Sequence, residues 1–152
     1  MIDEIDIKIL NILQNHGRTR RNEIADHVGL SIPSVSDRLK KLEDNGFILQ
    51  YTTLLNPKKI GKDITAFIAV KIDSSKHYSA FIDKAKENDE VLECHAITGD
   101  GSHLLKIRTE NTTSLEKLLS KIQSWIGVTD TRTSIVLSSA KETMKINLIM
   151  KR

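Results

Sequence analysis

Apolar residues in the first third of the chain recur at three- and four-residue spacing, the period of an amphipathic α-helix. They form three successive groups, Ile5, Ile9, Ile12 and Leu13, then Ile24, Ala25 and Val28, then Val35, Leu39 and Leu42. This pattern predicts three short helices that share one small core. A tight turn at Gly29 would make the last two a helix-turn-helix, a unit whose second helix fits the major groove of duplex DNA.

Capping signals predict where these helices begin and end. Asp3 is the expected N-cap of the first helix and Ser31 that of the third, because short polar side chains accept hydrogen bonds from free backbone N–H groups. Gly17 is expected to end the first helix in the left-handed conformation that glycine tolerates, and Gly46 to stop the third.

The outward face of the third helix carries side chains that suit DNA. Ser and Asp can bond base edges, whereas Lys and Arg suit phosphates or guanine. With the start of the second helix added, the predicted DNA-binding residues are Arg20, Arg21, Asn22, Ser31, Pro33, Ser34, Ser36, Asp37, Arg38 and Lys41. Any one of them is equally well explained as a solvated surface residue. The arrangement of a helix with flanking arginines is what favours DNA.

Beyond residue 62 the hydrophobic pattern alternates between strands and helices. Strands are predicted at residues 64–72, 91–98, 103–109 and 131–137, and helices at 78–86 and 114–125. The order βαββαβ is that of a ferredoxin-like sandwich, an antiparallel sheet with two helices on one face. The predicted fold class is therefore α+β, with a (winged) helix-turn-helix over residues 1–54, a linker over 55–62 and the sandwich over 63–152.

The stretch Phe47 to Leu54 is β-prone and directly follows Gly46. It has two interpretations, a wing of the DNA-binding domain or a strand that pairs with a second chain. Asn56-Pro57 then favours a turn, which marks the start of the linker.

Charge and composition narrow the functional classes. The formal net charge is +3, and residues 1–53 hold seven Lys/Arg against eight Asp/Glu, so DNA binding must depend on where the cations lie. The single cysteine, Cys94, excludes an internal disulfide framework and a Cys-rich metal site. No apolar run approaches a membrane span and the N-terminus lacks a signal-peptide core, so a cytoplasmic protein without metal or cofactor is expected.

Motifs in both halves of the chain resemble the Lrp/AsnC (feast/famine) family of transcriptional regulators. The N-terminal motifs are D-x-x-D-x-x-I-L from Asp3, E-I-A-x-x-V-G-L-S from Glu23 and V-S-x-R-L-K-K-L-E-x-x-G-F-I from Val35. Those of the second half include E-C-H-x-x-x-G-D from Glu93 and G-V-x-D-T-R-T from Gly127. The helix-turn-helix alone is moderately specific, whereas the same order of motifs across both halves is highly specific.

This resemblance implies a sequence-specific DNA-binding regulator, not an enzyme, whose assembly or DNA binding responds to a small effector, an amino acid. It also implies dimers that assemble into octamers, with the sandwich as sensing and oligomerisation domain. Carried over by motif, the effector-binding residues are Gly99, Asp100, Gly101, Ser102, His103, Asp130, Thr131 and Thr133. A glycine-rich loop presents backbone N–H groups to a carboxylate, and Asp can receive an α-ammonium group.

Two residues depart from the pattern of leucine-responsive members. Those commonly carry an acidic residue where Ser102 stands and an aromatic one where His103 stands, so an effector other than leucine, or a weak or absent response, is expected. One alternative is an architectural DNA-compacting protein whose loop is a plain hairpin turn. Another is an acylphosphatase-like enzyme, but the phosphate-cradling loop with an adjacent Arg that it needs in the first βα turn is missing. The DNA-binding regulator is favoured over both.

Overall fold

The computed structural model describes residues 1–149 and divides the chain into two compact units. One unit comprises residues 1–54 together with the segment that starts at Lys141, and the other is Leu55–Ala140. Among the described residues, no helix is long and apolar enough to cross a membrane. The same residues contain no group of His, Cys, Asp and Glu side chains that is able to hold a metal ion.

Three helices build the first unit, as the apolar spacing predicts. They are α1 (Glu4–Asn15), α2 (Arg21–Val28) and α3 (Ile32–Asp44). Ile9, Ile24 and Val35 are fully or almost fully buried at their centre. Burying a side chain of this size contributes about 1.5–3 kcal/mol, so the shared core dominates the stability of helices this short.

Most of the predicted helix ends are confirmed, but that of α1 is not. Asp3 and Ser31 are the N-caps of α1 and α3, and Gly29 and Gly46 are left-handed, with φ of +70° and +73°. Gly17, in contrast, has no positive φ, so the prediction of a left-handed Gly17 was wrong.

The turn after α1 closes without a left-handed residue because other groups cap it. The helix ends at Asn15, and the backbone N–H of His16 donates to the Ile12 carbonyl at 2.9 Å. Thr19 then donates twice to the His16 carbonyl, from its backbone N–H at 3.0 Å and from its hydroxyl at 2.6 Å.

The β-prone stretch after Gly46 forms no strand with any described part of this chain. The backbone N–H groups of Phe47 and Ile48 both donate to the Leu42 carbonyl, which turns the chain at the end of α3. The Tyr51 hydroxyl then donates to the Glu43 carboxylate at 2.8 Å. Residues 47–54 therefore do not form a wing strand with any part of residues 1–149. Their pairing with a second chain stays a prediction.

The second unit has the predicted βαββαβ order. Its elements are β1 (Ile64–Ile72), α4 (Tyr78–Glu87), β2 (Val91–Ala96), β3 (His103–Thr109), α5 (Thr112–Gln123) and β4 (Val128–Ile135). The four strands pair antiparallel in the order β2-β3-β1-β4. A short 3-10 turn, Lys58–Ile60, lies in the stretch expected as linker. The expected ferredoxin-like fold class is confirmed.

Strand β1 shows how the two faces of the sheet differ. Its residues Ala66, Ile68 and Val70 are fully buried, and they pack in one core with Phe81 of α4 and Ile122 of α5. Successive strand residues point to opposite faces. The other face of β1 therefore carries the residues between them, of which Phe67 keeps 38% of its surface exposed.

Residues 141–149 group with the helical unit and not with the sandwich, so the sandwich ends at Ala140, earlier than the predicted boundary at residue 152. The Gln14 side chain donates to the Ile146 carbonyl at 2.9 Å and accepts from the Ile146 N–H at 2.7 Å. Lys145 Nζ donates to Asn15 Oδ1 at 2.8 Å, and Leu148 packs against the helical core. These contacts join residues more than a hundred positions apart, so local periodicity does not reveal them.

Candidate functional site

The outer face of α3 is exposed to solvent, as expected for a helix that contacts DNA. Val35, Leu39 and Leu42 are its buried stripe. The exposed residues from the predicted set are Ser31, Pro33, Ser34, Asp37 and Lys41. Their exposure is compatible with DNA contact, which stays a prediction.

Two serines at the start of α3 have hydrogen-bond roles within the protein. Ser31 Oγ accepts from the Ser34 N–H at 3.3 Å and donates to Ser34 Oγ at 2.9 Å, so it caps the helix. Ser36 Oγ accepts from Arg21 Nη1 at 3.3 Å, which ties α2 to α3. Ser36 is only partly exposed, so part of its hydrogen-bonding capacity serves the domain itself.

Ile32 is a candidate DNA contact that the sequence analysis missed. It is the first residue of α3 and keeps 49% of its surface exposed, although it is apolar. An apolar side chain at the end of a helix in the major groove can pack on a thymine methyl group. The available signal was an isoleucine directly after the N-cap and outside the buried stripe.

The predicted basic residues at the start of α2 are exposed. They are Arg20 and Arg21, with Asn22 beside them and Arg18 just before. The backbone N–H of Arg20 donates to the Glu23 carboxylate at 2.8 Å, which caps α2 and leaves the guanidinium outside this bond. Within residues 1–149, no salt bridge involves Arg18, Arg20 or Lys41. Their charges are therefore available to a polyanion.

Arg38 differs from these cations because its guanidinium is already paired. Its Nη1 donates to Asp3 Oδ2 and to Asp6 Oδ1, each at 2.8 Å. These hydrogen bonds, with Asp6 and then Asp3 as partners, raise the pKa of Arg38 above its ordinary value. Arg38, predicted as a DNA-binding residue, thus already has partners within the protein, and its contact with DNA stays a prediction.

The predicted effector loop, between β2 and β3, borders a cavity of about 380 Å³ in the second unit. The cavity is lined by Ala69, Lys71, Ile72, Gly99, Asp100, Gly101, Ser102, Asp130 and Arg132. Five of the eight predicted effector residues are in this lining, namely Gly99, Asp100, Gly101, Ser102 and Asp130. The loop and β4 thus meet at this cavity, and effector binding there stays a prediction.

Two cations in the lining, Lys71 and Arg132, are not among the eight predicted effector residues. Arg132 Nη1 donates to Asp100 Oδ2 at 3.1 Å, and Lys71 lies opposite Asp130 in the β1–β4 pairing. The cavity therefore carries two cations and two carboxylates, a set that suits a zwitterion. Strand alternation was the signal, because Arg132 lies two residues after Asp130 and so on the same face of β4.

Thr131 and Thr133 lie on the opposite face of β4, which corrects their assignment to the effector site. They pair with Val70 and Ile68, both buried under the helices. Thr131 Oγ1 accepts from Gln123 Nε2 of α5 at 3.0 Å. Because of strand alternation, neither threonine borders the cavity that Asp130 and Arg132 line.

His103 is a core residue rather than a wall of the effector site. It is 1% exposed, and its ring lies 4.8 Å from that of Tyr78 and 5.1 Å from that of Phe81, measured between centroids. Its Nδ1 is 2.9 Å from the Ser102 hydroxyl. Burial lowers the pKa of His103, which favours the neutral ring at physiological pH.

The loop approaches β1 so closely that only glycine fits at residue 101. Gly101 has φ of +87°, and a Cβ there would lie 2.7 Å from the Val70 carbonyl oxygen. The Ser102 N–H donates to that same oxygen at 2.9 Å, so it is already engaged within the protein. Gly99, with φ of +99°, has no atom within 4 Å of the point that a Cβ would occupy, so it needs glycine for its conformation alone.

Comparison with known families assigns both units. The family model described as "Winged helix-turn-helix DNA-binding" matches residues 2–48. The one described as "Lrp/AsnC ligand binding domain" matches residues 65–146. The two matches cover the DNA-binding helices and the sandwich with its loop.

Individual relatives match over almost the whole chain. The HTH-type transcriptional regulator FL11 of Pyrococcus horikoshii is 38% identical over 145 residues, covering 95% of both chains. The Proline dehydrogenase transcriptional activator of Rhizobium radiobacter is 39% identical, covering 93% of both. Among solved structures, the transcriptional regulator NMB0573/L-Met complex from Neisseria meningitidis is 34% identical, with a TM-score of 0.92 and 97% of both chains covered.

Lys41 gives a direct test of the DNA-binding face. We expect Lys41→Ala to weaken binding to all duplexes alike and to lower the slope of log affinity against log salt by about one unit, as for the loss of one phosphate contact. Fluorescence anisotropy with specific and random duplexes at several salt concentrations measures both quantities. Lys117→Ala, on α5, removes the same charge from the other unit and should change neither. An unchanged slope in Lys41→Ala, with the fold intact by circular dichroism, would argue against this contact.

Gly101 and Gly99 form a matched pair that tests the loop geometry. Both substitutions to Ala place a Cβ in the left-handed region, which costs about 1–2 kcal/mol. Gly101→Ala adds a collision with the Val70 carbonyl, so we expect it to lower the melting temperature clearly more than Gly99→Ala. Equal melting temperatures for the two variants would contradict the close approach of the loop to β1.

Proposed function

The chain belongs to the Lrp/AsnC family of DNA-binding transcriptional regulators, and we propose that it contacts DNA through α3 and a free amino acid through the loop at residues 99–102. The proposal of an amino-acid effector rests on the Arg132–Asp100 ion pair at the border of the cavity. The proposal of DNA binding rests on the exposed face of α3. With DNA as the partner, we also propose a cytoplasmic location.

The DNA-binding unit has too little net charge for a general polyanion affinity, so its contacts must be local. Three exposed cations supply positive charge for phosphate contacts: Arg18 and Arg20, just before α2, and Lys41, on α3. Ser34 and Asp37 are exposed polar groups on the helix that would enter the groove, and Ile32 offers an apolar contact. In this proposal phosphate contacts fix the register of the helix and the other three residues read bases.

The effector proposal follows from the charges around the cavity. A free amino acid carries one carboxylate and one ammonium group. In the proposed complex Arg132 binds the carboxylate and Asp100 binds the ammonium, so that the ligand replaces their mutual ion pair. An exposed ion pair of this kind is worth about 0–1 kcal/mol, so opening it costs little. The L-Met complex of the Neisseria regulator supports an amino acid as ligand class.

Exposed apolar side chains support assembly into dimers and then octamers. The residues concerned are Phe47 (48% exposed), Leu49 (90%), Tyr51 (52%) and Leu54 (74%), all in the stretch Phe47 to Leu54, which forms no strand within the described residues. An unpaired, β-prone and apolar stretch is a site for pairing with another chain. We propose that two copies pair here and that a dimer presents two copies of α3 to paired half-sites.

The effector proposal predicts a thermal shift. We expect at least one of the twenty amino acids, at millimolar concentration, to raise the melting temperature, because a ligand that binds only the folded form stabilises it by mass action. Asp100→Asn and Arg132→Gln should each abolish this shift while the wild-type affinity for DNA is retained. Lys117→Gln, which removes a distant exposed charge, should keep the shift.

Two outcomes would contradict this proposal. If no amino acid changes the melting temperature or the state of assembly, the loop is a plain turn and the architectural alternative is favoured. If the shift persists in both loop variants, the amino acid binds elsewhere.

The assembly proposal predicts the mass of the particle. Light scattering at micromolar concentration should give at least a dimer, and an octamer as the expected end state. Leu49→Lys should shift the mass towards the monomer, because a charge replaces the most exposed side chain of the pairing stretch. Ser79→Lys, at an exposed position of α4, is the control and should leave the mass unchanged. A monomeric wild-type protein at micromolar concentration would contradict the assembly proposal.

A further inference from the structure

Arg38 joins α3, the proposed DNA-reading helix, to the first turn of α1. One guanidinium nitrogen, Nη1, donates to a carboxylate oxygen of Asp3 and to one of Asp6, both at 2.8 Å. The Arg38 and Asp6 side chains are 28% and 14% exposed, so this contact is partly shielded from solvent. Ion pairs in such a setting are screened less by water and salt than those on an open surface.

The two carboxylates that receive Arg38 also cap α1. Asp3 Oδ1 accepts from the Asp6 N–H at 2.8 Å, and Asp6 Oδ2 accepts from the Asp3 N–H at 3.1 Å. Each carboxylate thus uses one oxygen for the cap and the other for Arg38. The result is a closed network, in which the same two carboxylates cap α1 and bind the guanidinium.

Because Arg38 is part of α3, its contacts with Asp3 and Asp6 restrain the rotation of α3 about its own axis relative to α1. Arg38 lies beside the buried stripe of Val35, Leu39 and Leu42, and it is four residues after Ser34 and three before Lys41. Residues three and four apart are neighbours on one side of a helix. A fixed Arg38 therefore determines how far Ser34 and Lys41 are turned towards a ligand of the outer face.

We propose that Arg38 is a positioning residue for DNA recognition: its ion pairs with Asp3 and Asp6 set the rotation of α3 against α1, and it makes no phosphate contact. The inference rests on DNA reading by α3. It differs from a purely structural role because it concerns the choice between DNA sequences as well as the stability of the fold.

Asp6→Asn separates the proposal from a phosphate contact because the two interpretations predict opposite signs. The Asn side-chain oxygen can still accept from the Asp3 N–H, so the cap persists, but one of the two carboxylates that hold Arg38, the more buried one, loses its charge. If Arg38 bound phosphate, its release and the loss of a negative charge would leave DNA binding equal or tighter. If Arg38 positions α3, binding to the specific duplex weakens.

The experiment uses the full-length protein and two probes, a duplex selected in vitro from a random pool by the wild type and a duplex of random sequence. We expect Asp6→Asn and Arg38→Gln each to lower the affinity for the selected duplex by about tenfold, a usual size for coupled contacts. The affinity for the random duplex should fall much less, and the salt slope should stay at the wild-type value. The double variant should lose no more than Arg38→Gln alone, because that substitution already removes the ion pairs with both Asp3 and Asp6.

Three results would overturn the inference, and all are read at a temperature where circular dichroism shows every variant folded. A salt slope lower by one unit in Arg38→Gln alone would identify Arg38 as a phosphate contact. Equal or tighter binding in Asp6→Asn would do the same. A lower melting temperature with an unchanged ratio of selected to random affinity would leave Arg38 a structural role only. Failure of the wild type to select any duplex would instead refute DNA reading itself, so the two failures are distinguishable.

Discussion

The hydrogen-bonded edges of β1 are the constraint on which the sensing unit depends. This strand pairs with β3 on one side and with β4 on the other, and it buries Ala66, Ile68 and Val70 under the two helices. The Val70 carbonyl also accepts the Ser102 N–H, which holds the loop against the end of the strand. The same strand therefore determines the core and the shape of the loop. It also contributes Lys71 to the cavity.

The sequence was sufficient for the order of the elements, because helix and strand periods differ and both units are amphipathic throughout. It was less informative about which face of a strand borders the site. Assigning Asp130, Thr131 and Thr133 together ignored the alternation of β4, which separates the threonines from Asp130 and adds Arg132 instead. The prediction that His103 borders the effector site failed for a related reason, because the burial of His103 depends on the helix that covers that face. Local motifs locate a loop, but tertiary packing decides which of its side chains are exposed.

The features of the DNA-binding unit that were not predicted have another origin, namely contacts between residues distant in sequence. Arg38 and Asp3 are separated by 35 positions, and Gln14 and Ile146 by 132. No spacing rule connects such pairs. The helical wheel therefore placed Arg38 beside the outer face of α3 but could not show that its guanidinium is paired with Asp3 and Asp6. The same limit explains why residues 141–149 were predicted as part of the sandwich although they group with the helical unit.

The distribution of charge in the first unit links these findings to function. Residues 1–53 carry seven basic and eight acidic side chains, yet Arg38 is paired with Asp3 and Asp6, and Lys40 with Asp44 at 2.8 Å. These pairings neutralise acidic residues that would otherwise repel a phosphate backbone. They leave Arg18, Arg20 and Lys41 as cations outside any salt bridge within the described residues. A domain with almost no net charge can thus present a locally positive surface, because the ion pairs engage three carboxylates, Asp3, Asp6 and Asp44, with only two cations, Arg38 and Lys40.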